Sequence, residues 1–238
     1  MNVIDIGIIL ILIMSLIIGS KRGVIKEAVS FIGLIIIFII AFIFKEELGN
    51  TLCKYLPFFE FSGNIKGMVA INILIYQAVA FLIIFSILFG IYAIIVKISS
   101  IFQKLVNMTL VLWIPSNLAG AIFSFLKAYI ILFLVLLVIM TTSINNQIFT
   151  ESKLAKPIIY NTPLLSMSAN RLTKSMDEVF TLVEKVQDEK ISINDANLQI
   201  IDSMLEYKVV SKKTIEQLVV LDKLDKVKGL KQILNKYE

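Results

Sequence analysis

Residues 3–20 read VIDIGIILILIMSLIIGS, eighteen residues in which Asp5 is the one charge. At about 1.5 Å of rise per residue such a helix reaches roughly 27 Å, close to the hydrocarbon thickness of a bilayer. A cleaved signal peptide is the competing reading, but that needs basic residues before the apolar run and small residues at a cleavage site. Here Lys21 and Arg22 follow the run, and Ile17-Ile18-Gly19-Ser20 makes a poor cleavage signal. The stretch is expected to be an uncleaved first membrane span.

The rest of the first 144 residues repeats the theme. Lys21-Arg22-Gly23 forms a tight turn into a second apolar stretch over 24–44, which carries Lys26 and Glu27 in its first turn. Glycine at 23 suits the positive φ that so short a connection requires. Residues 45–66 are expected to be the first substantial loop, with six charges, Pro57 and the aromatics Phe58, Phe59 and Phe61. Aromatics beside charges at a span edge suggest an interfacial belt. A third span is expected over 67–96, containing Asn72 and Gln77, and a second loop over 97–117 with Lys97 and Lys104. Ile114-Pro115-Ser116-Asn117 looks like a helix start, with Ser116 or Asn117 as cap, for a fourth span over 118–144.

Composition agrees. Of the 238 residues, 58% are hydrophobic, and residues 1–144 hold only 9 of the 23 Lys/Arg and 5 of the 18 Asp/Glu. A soluble globule of this size cannot bury that much apolar surface. Beyond Asn145 the chain reads as a helical, water-exposed segment. Pro157 and Pro163 punctuate a linker. Leu172, Met176, Val179, Phe180, Val183 and Val186 then recur at helical spacing, a second helix is expected near 195–208, and Ser211 is placed to cap a last one reaching about 236. The expected fold class is therefore an all-α integral membrane protein, with four transmembrane helices (1–144), a linker (145–168) and a small helical domain (169–238).

Several functions are excluded or disfavoured. The chain has no histidine, which removes the usual neutral-pH acid–base and most metal sites. Cys53 is the single cysteine, so neither an intrachain disulfide nor a cysteine-based metal site can form. No cofactor is expected. The net charge of +5 reads as loops held at a membrane surface, not as nucleic-acid binding.

Ile4-Asp5, an apolar helix, Lys21-Arg22-Gly23-Val24-Ile25-Lys26-Glu27 and a second apolar helix with Gly33 together resemble the colicin V production protein (CvpA) family. A second similarity is Gly120-Ala121-Ile122-Phe123 with Lys127, where the family has a Gly-Phe-Gly-like stretch and an arginine; Ala128 and Asn117 depart from the pattern. The resemblance covers about 1–144. It implies a bacterial cytoplasmic-membrane protein linked to toxin (bacteriocin) production or secretion, and it carries no catalytic residue.

Six residues stand out as functional or topological candidates: Asp5, Arg22, Gly23, Glu27, Gly120 and Lys127. Asp5 is either a proton-relay carboxylate or a first-turn residue favoured by the helix dipole. Glu27 has the same two readings and is within reach of Lys26 or Arg22. With a helix between them, Asp5 and Glu27 are not expected to act together. Lys127 lies about 13 Å into a span that starts near 118, so it must snorkel, find a partner or mark a polar cavity, unless the true span begins at Lys127 itself. Ser124-x-x-Lys127 also matches a penicillin-binding-protein nucleophile pattern, but the accompanying motifs are absent. Asn72 and Gln77 suit hydrogen bonding between helices.

The function expected from the sequence is that of a non-enzymatic assembly or export factor. A small-solute or ion transporter and an anchor for an envelope complex are the alternatives. Its partners would be the lipid bilayer, envelope or export proteins, and a second copy of the chain. Orientation rests on placement, since basic residues divide five against five between the two sides. Three of them (Lys21, Arg22, Lys26) crowd the turn after the first span, which dominates. This predicts a cytoplasmic 21–26 turn and both termini outside.

Overall fold

The computed structural model describes residues 2–107, 110–141, 152–162 and 165–237. Among them there is no strand; the elements are α1 (Val3–Arg22), α2 (Val24–Tyr55), a 3-10 turn (Gly63–Ile65), α3 (Ala70–Asn107), α4 (Leu110–Thr141), α5 (Ala155–Asn161), α6 (Leu165–Gln187), α7 (Ile193–Glu206), α8 (Lys212–Val220) and α9 (Leu230–Asn235). Four of them are long and apolar enough to cross a membrane: α1, α2, α3 over Ala70–Gln103 and α4 over Pro115–Ile139. The end of the expected fourth span (142–144), the start of the expected linker (145–151) and Pro163 lie outside the described residues.

Span boundaries differ from those read in the sequence. α2 does not stop at 44. Lys45, Glu46 and Glu47 stay helical, and the helix ends only before Pro57, whose ring disfavours helical backbone at the preceding residue. α3 begins at Ala70 and continues to Asn107, absorbing the first part of the expected second loop. α4 begins at Leu110 and runs through Pro115, so neither Ser116 nor Asn117 caps it. Lys127 consequently sits within a continuous helix, not at its start.

The chain divides into two compact units, and the division is not the linear one: residues 1–41 join 85–166, and residues 42–84 join 167–238. In the first unit α1 packs along α4, and α5 packs on both. Ile8, Leu34, Ile37, Ala41, Ala128, Leu132, Phe133 and Leu136 are buried, while Leu10, Ile13, Met14 and Ile17 face outward, as lipid-facing residues do. The expected linker thus includes a packed helix, with Ile158 and Ile159 buried.

In the second unit the tail helices close a core with the end of α2 and the start of α3. Cys53, Met68, Ile73, Ile200, Ile201, Met204, Ile215 and Leu218 are among its fully buried members. Buried amides set the register. Asn197 Oδ1 accepts from Ala70 N at 2.9 Å, and its Nδ2 donates to the Gly67 carbonyl at 2.9 Å. Glu46 accepts from Ser211 N at 2.9 Å and from the Thr214 hydroxyl at 2.5 Å, which seats a carboxylate at the N-terminus of α8. Phe58 and Phe59 pack on Tyr76, with ring centroids 6.0 and 5.8 Å apart, so part of the expected aromatic belt serves this unit. Ser211 caps α8 as the sequence predicts, and Ser192 caps α7. The last expected helix breaks in two after Val220, and Gly229 (φ 91°) precedes α9.

Candidate functional site

The 21–26 turn works because of three glycines. Gly23 has φ 79°, a conformation that costs a residue with a side chain dearly, and its amide donates to the Gly19 carbonyl at 3.1 Å. Across from it, a Cβ on Gly120 would lie 2.6 Å from the Gly19 carbonyl oxygen and 2.7 Å from the Gly23 carbonyl carbon. A Cβ on Gly19 would lie 2.3 Å from Ser124 Cβ. The backbones of α1 and α4 therefore touch at this crossing, the close approach that small residues permit in lipid.

Starting α2 straight after this turn leaves its first amides without intrahelical partners. Side chains distant in sequence take them. Ser116 Oγ accepts from Val24 N at 3.2 Å, and Gln103 Oε1 accepts from Ile25 N at 2.7 Å; Gln103 Nε2 in turn donates to Ser116 Oγ at 2.9 Å. Ser116 thus caps α2, not the helix in which it lies.

One turn further in is the charged centre. Glu27 is fully buried, and its Oε2 accepts from Lys127 Nζ at 2.5 Å, while its Oε1 faces Arg22 Nη1 at 3.4 Å. Lys127 Nζ also donates to Ser30 Oγ at 3.0 Å. Ser30 Oγ lies 2.6 Å from the Tyr92 hydroxyl, which donates to the Ser30 carbonyl at 3.0 Å. Gly33 leaves room for the Tyr92 ring: a Cβ there would stand 2.9 Å from it. The result is one bonded network from half-exposed Arg22 through Glu27, Lys127 and Ser30 to Tyr92. A buried carboxylate survives in such a place because a cation and hydrogen bonds replace its water.

Asp5 belongs to a separate network. Asn2 and Asp5 form a capping box at the start of α1. The same carboxylate accepts from Ser152 Oγ at 2.6 Å and from the amides of Leu154 (3.0 Å) and Lys153 (3.4 Å). Ser152 also accepts from Ala155 N at 2.9 Å, so Asp5 fastens the start of α5. Asp5 and Glu27 share no hydrogen-bond partner. Of the six candidates, Arg22, Glu27 and Lys127 come together, Gly23 and Gly120 meet beside them, and Asp5 stands apart. Among the described residues no group of three or more Cys, Asp or Glu is arranged to hold a metal ion.

Residues 4–163 match the model of the family described as colicin V production protein. This chain belongs to that family. The match contains all six candidate residues, and most of the second unit's tail helices lie beyond it. A relative in Bacillus subtilis (strain 168), an uncharacterized transmembrane protein named YshB, is 28% identical over 174 residues, covering 68% of this chain and 92% of that protein. No solved structure matches the chain. With four membrane-crossing helices, this member of the colicin V production family is a multi-pass membrane protein.

Sequence reasoning missed Ser30, Tyr92, Gln103 and Ser152, and read Ser116 as capping its own helix instead of α2. Ser30 was within reach, because Glu27, Ser30 and Gly33 share one helix face by their spacing of three. Nothing local in the sequence ties Tyr92, Gln103, Ser116 or Ser152 to partners more than sixty residues away.

Proposed function

We propose that this protein acts at the bacterial cytoplasmic membrane in the production or secretion of a peptide toxin, as a non-enzymatic assembly or export factor. The observation that carries the reading is the saturation of Glu27. Its two oxygens face Lys127 and Arg22, and Lys127 is shared with Ser30, so the Glu27 and Lys127 charges are spent on holding spans together. A solute path would need them open to the solute. Family membership supplies the link to toxin production. Envelope or export proteins and a second copy of the chain are the partners this role calls for, and co-purification from native membrane would name them.

The test is toxin release from a strain lacking the protein, complemented with wild type or with Lys127→Leu. Loss of release on deletion, restored by wild type, supports the reading. Unchanged release on deletion refutes it. So does solute flux through proteoliposomes of wild type that Lys127→Leu abolishes, which would favour a transporter. Deleting the tail does not discriminate, because residues 167–238 close the core around Met68 and Ile73 and removing them would unfold that unit.

Our proposed orientation places the 21–26 turn in the cytoplasm and both termini outside. The bonds from Asp5 to Ser152 and Leu154 are consistent with an even number of crossings, since they join the start of α1 to the segment following α4. A tail fusion to alkaline phosphatase should be active; an inactive fusion with a fluorescent cytoplasmic reporter at the same site would reverse the orientation.

A further inference from the structure

The first unit holds three carboxylates in sequence, Asp5, Glu27 and Glu151, of which Asp5 and Glu27 are described. Both are used up. Asp5 accepts from Asn2, Ser152, Lys153 and Leu154. Glu27 holds Lys127 at 2.5 Å and leaves Arg22 only a long 3.4 Å contact, with half of that side chain exposed. Lys21 is exposed and Lys26 half-buried, and among the described residues neither has an ion-pair partner. Four cations (Lys21, Arg22, Lys26, Lys127) thus lie at or beside one short turn with one carboxylate, which contacts Arg22 and Lys127. The start of α2 adds to the positive potential, since Ser116 and Gln103 cap it with neutral groups.

The turn's depth says where the counter-charge comes from. α1 has 20 residues, about 30 Å of helix, which is one bilayer core. Its end at Arg22, and the start of α2 at Val24, therefore fall at headgroup level. We propose that the 21–26 turn is a binding site for the phosphate of an anionic phospholipid, held by Arg22 and Lys21 and Lys26. A phosphodiester monoanion matches the donor chemistry, with guanidinium and ammonium groups each able to donate to its oxygens. Two acyl chains would lie along the outward apolar faces of the spans.

The test uses the full chain in non-ionic detergent, stripped of native lipid, with phosphatidylglycerol titrated in and affinity read from the rise in unfolding temperature. Phosphatidylglycerol should stabilise, and phosphatidylcholine should not. Lys21→Gln with Lys26→Gln should weaken the affinity about thirtyfold, at about one kcal/mol per lysine near a membrane surface. The Lys21→Arg with Lys26→Arg pair keeps the charge and should retain binding, which separates loss of charge from loss of fold. Lys153→Gln with Lys156→Gln, a basic pair beyond α4, should bind as wild type. The proposal fails if phosphatidylcholine matches phosphatidylglycerol or if the glutamine pair at 21 and 26 binds as wild type. It also fails if the pair at 153 and 156 loses as much, which would mark diffuse attraction. Equal stabilisation by inorganic phosphate at matched ionic strength would assign the site to a soluble anion and overturn the lipid.

Discussion

Replacing Lys127 with leucine keeps most of the side-chain volume and removes the ammonium that holds Glu27. Breaking a buried ion pair by deleting one partner typically costs about 3–5 kcal/mol, because the other charge stays buried. Here the cost falls at the low end, about 3 kcal/mol: Arg22 already lies 3.4 Å from Glu27 Oε1 and can close on the vacated oxygen. The reverse change, Glu27→Leu, should cost less, about 1–2 kcal/mol. Lys127 is 15% exposed, keeps Ser30 as acceptor, and has a long stem with which to reach water. Removing both charges together should recover much of the loss, leaving a coupling of about 2 kcal/mol between the two positions. The assay is detergent-titrated unfolding of the full chain in mixed micelles for wild type, both single variants and the double. A Lys127→Leu variant within about 0.5 kcal/mol of wild type would refute the argument, and so would strictly additive single effects. Toxin release should follow the stability series.

Gly120→Val drives a side chain into the Gly19 carbonyl 2.6 Å away and should destabilise by about 1–3 kcal/mol or more, seen as a lowered unfolding temperature. Asn197→Ala removes both hydrogen bonds that tie α7 to Gly67 and Ala70; a loss of about 2 kcal/mol is expected, with faster amide exchange at Ala70. At the end of the tail, the hydrogen bond that Lys236 donates to Asp202 lifts the lysine's pKa above its ordinary value. Folding therefore favours the charged lysine, so the contact contributes fully below the unfolded lysine's value, near pH 10.5, and fades as pH rises through the raised one. Proteolysis of the 230–237 segment should accelerate only above pH 10.5 in wild type, and that step should vanish in Asp202→Asn.

The four spans were legible because eighteen or more apolar residues in a row admit little else, and the hairpin because Gly23 follows two basic residues directly. At Lys127 a partner was one of the readings the sequence left open, beside snorkelling, a polar cavity or a span beginning at Lys127 itself. The partner's identity was not legible: Glu27 is a hundred residues away, and the cations the sequence set within reach of Glu27 were Arg22 and Lys26. The 45–66 segment misled because charges usually mark the end of a span. Lys45, Glu46 and Asn50 instead remain on the helix, with Val209, Ser211, Thr214 and Gln217 as partners contributed by the tail. Pro115 misled in the same way, read as a helix boundary when α4 passes through it. Asn72 was expected to bond between helices, and it clamps the backbone of Phe59 through both N–H and C=O.

Asp5 and its acceptor role carry a consequence for biogenesis. The serine it binds is encoded 147 residues later, and the lysine that holds Glu27 comes 100 residues after it. At ribosomal speeds of about 5–20 residues per second, Asp5 waits about 7–30 s and Glu27 about 5–20 s for their partners. During that interval the first two helices enter the bilayer with Asp5 holding only its Asn2 cap and Glu27 only Arg22. The hairpin's carboxylates can gain these partners only once the fourth helix and, for Asp5, the residues after it have been made. Substitutions at Ser152 or Lys127 would then act on the yield of inserted protein, through quality control, before they act on the finished molecule.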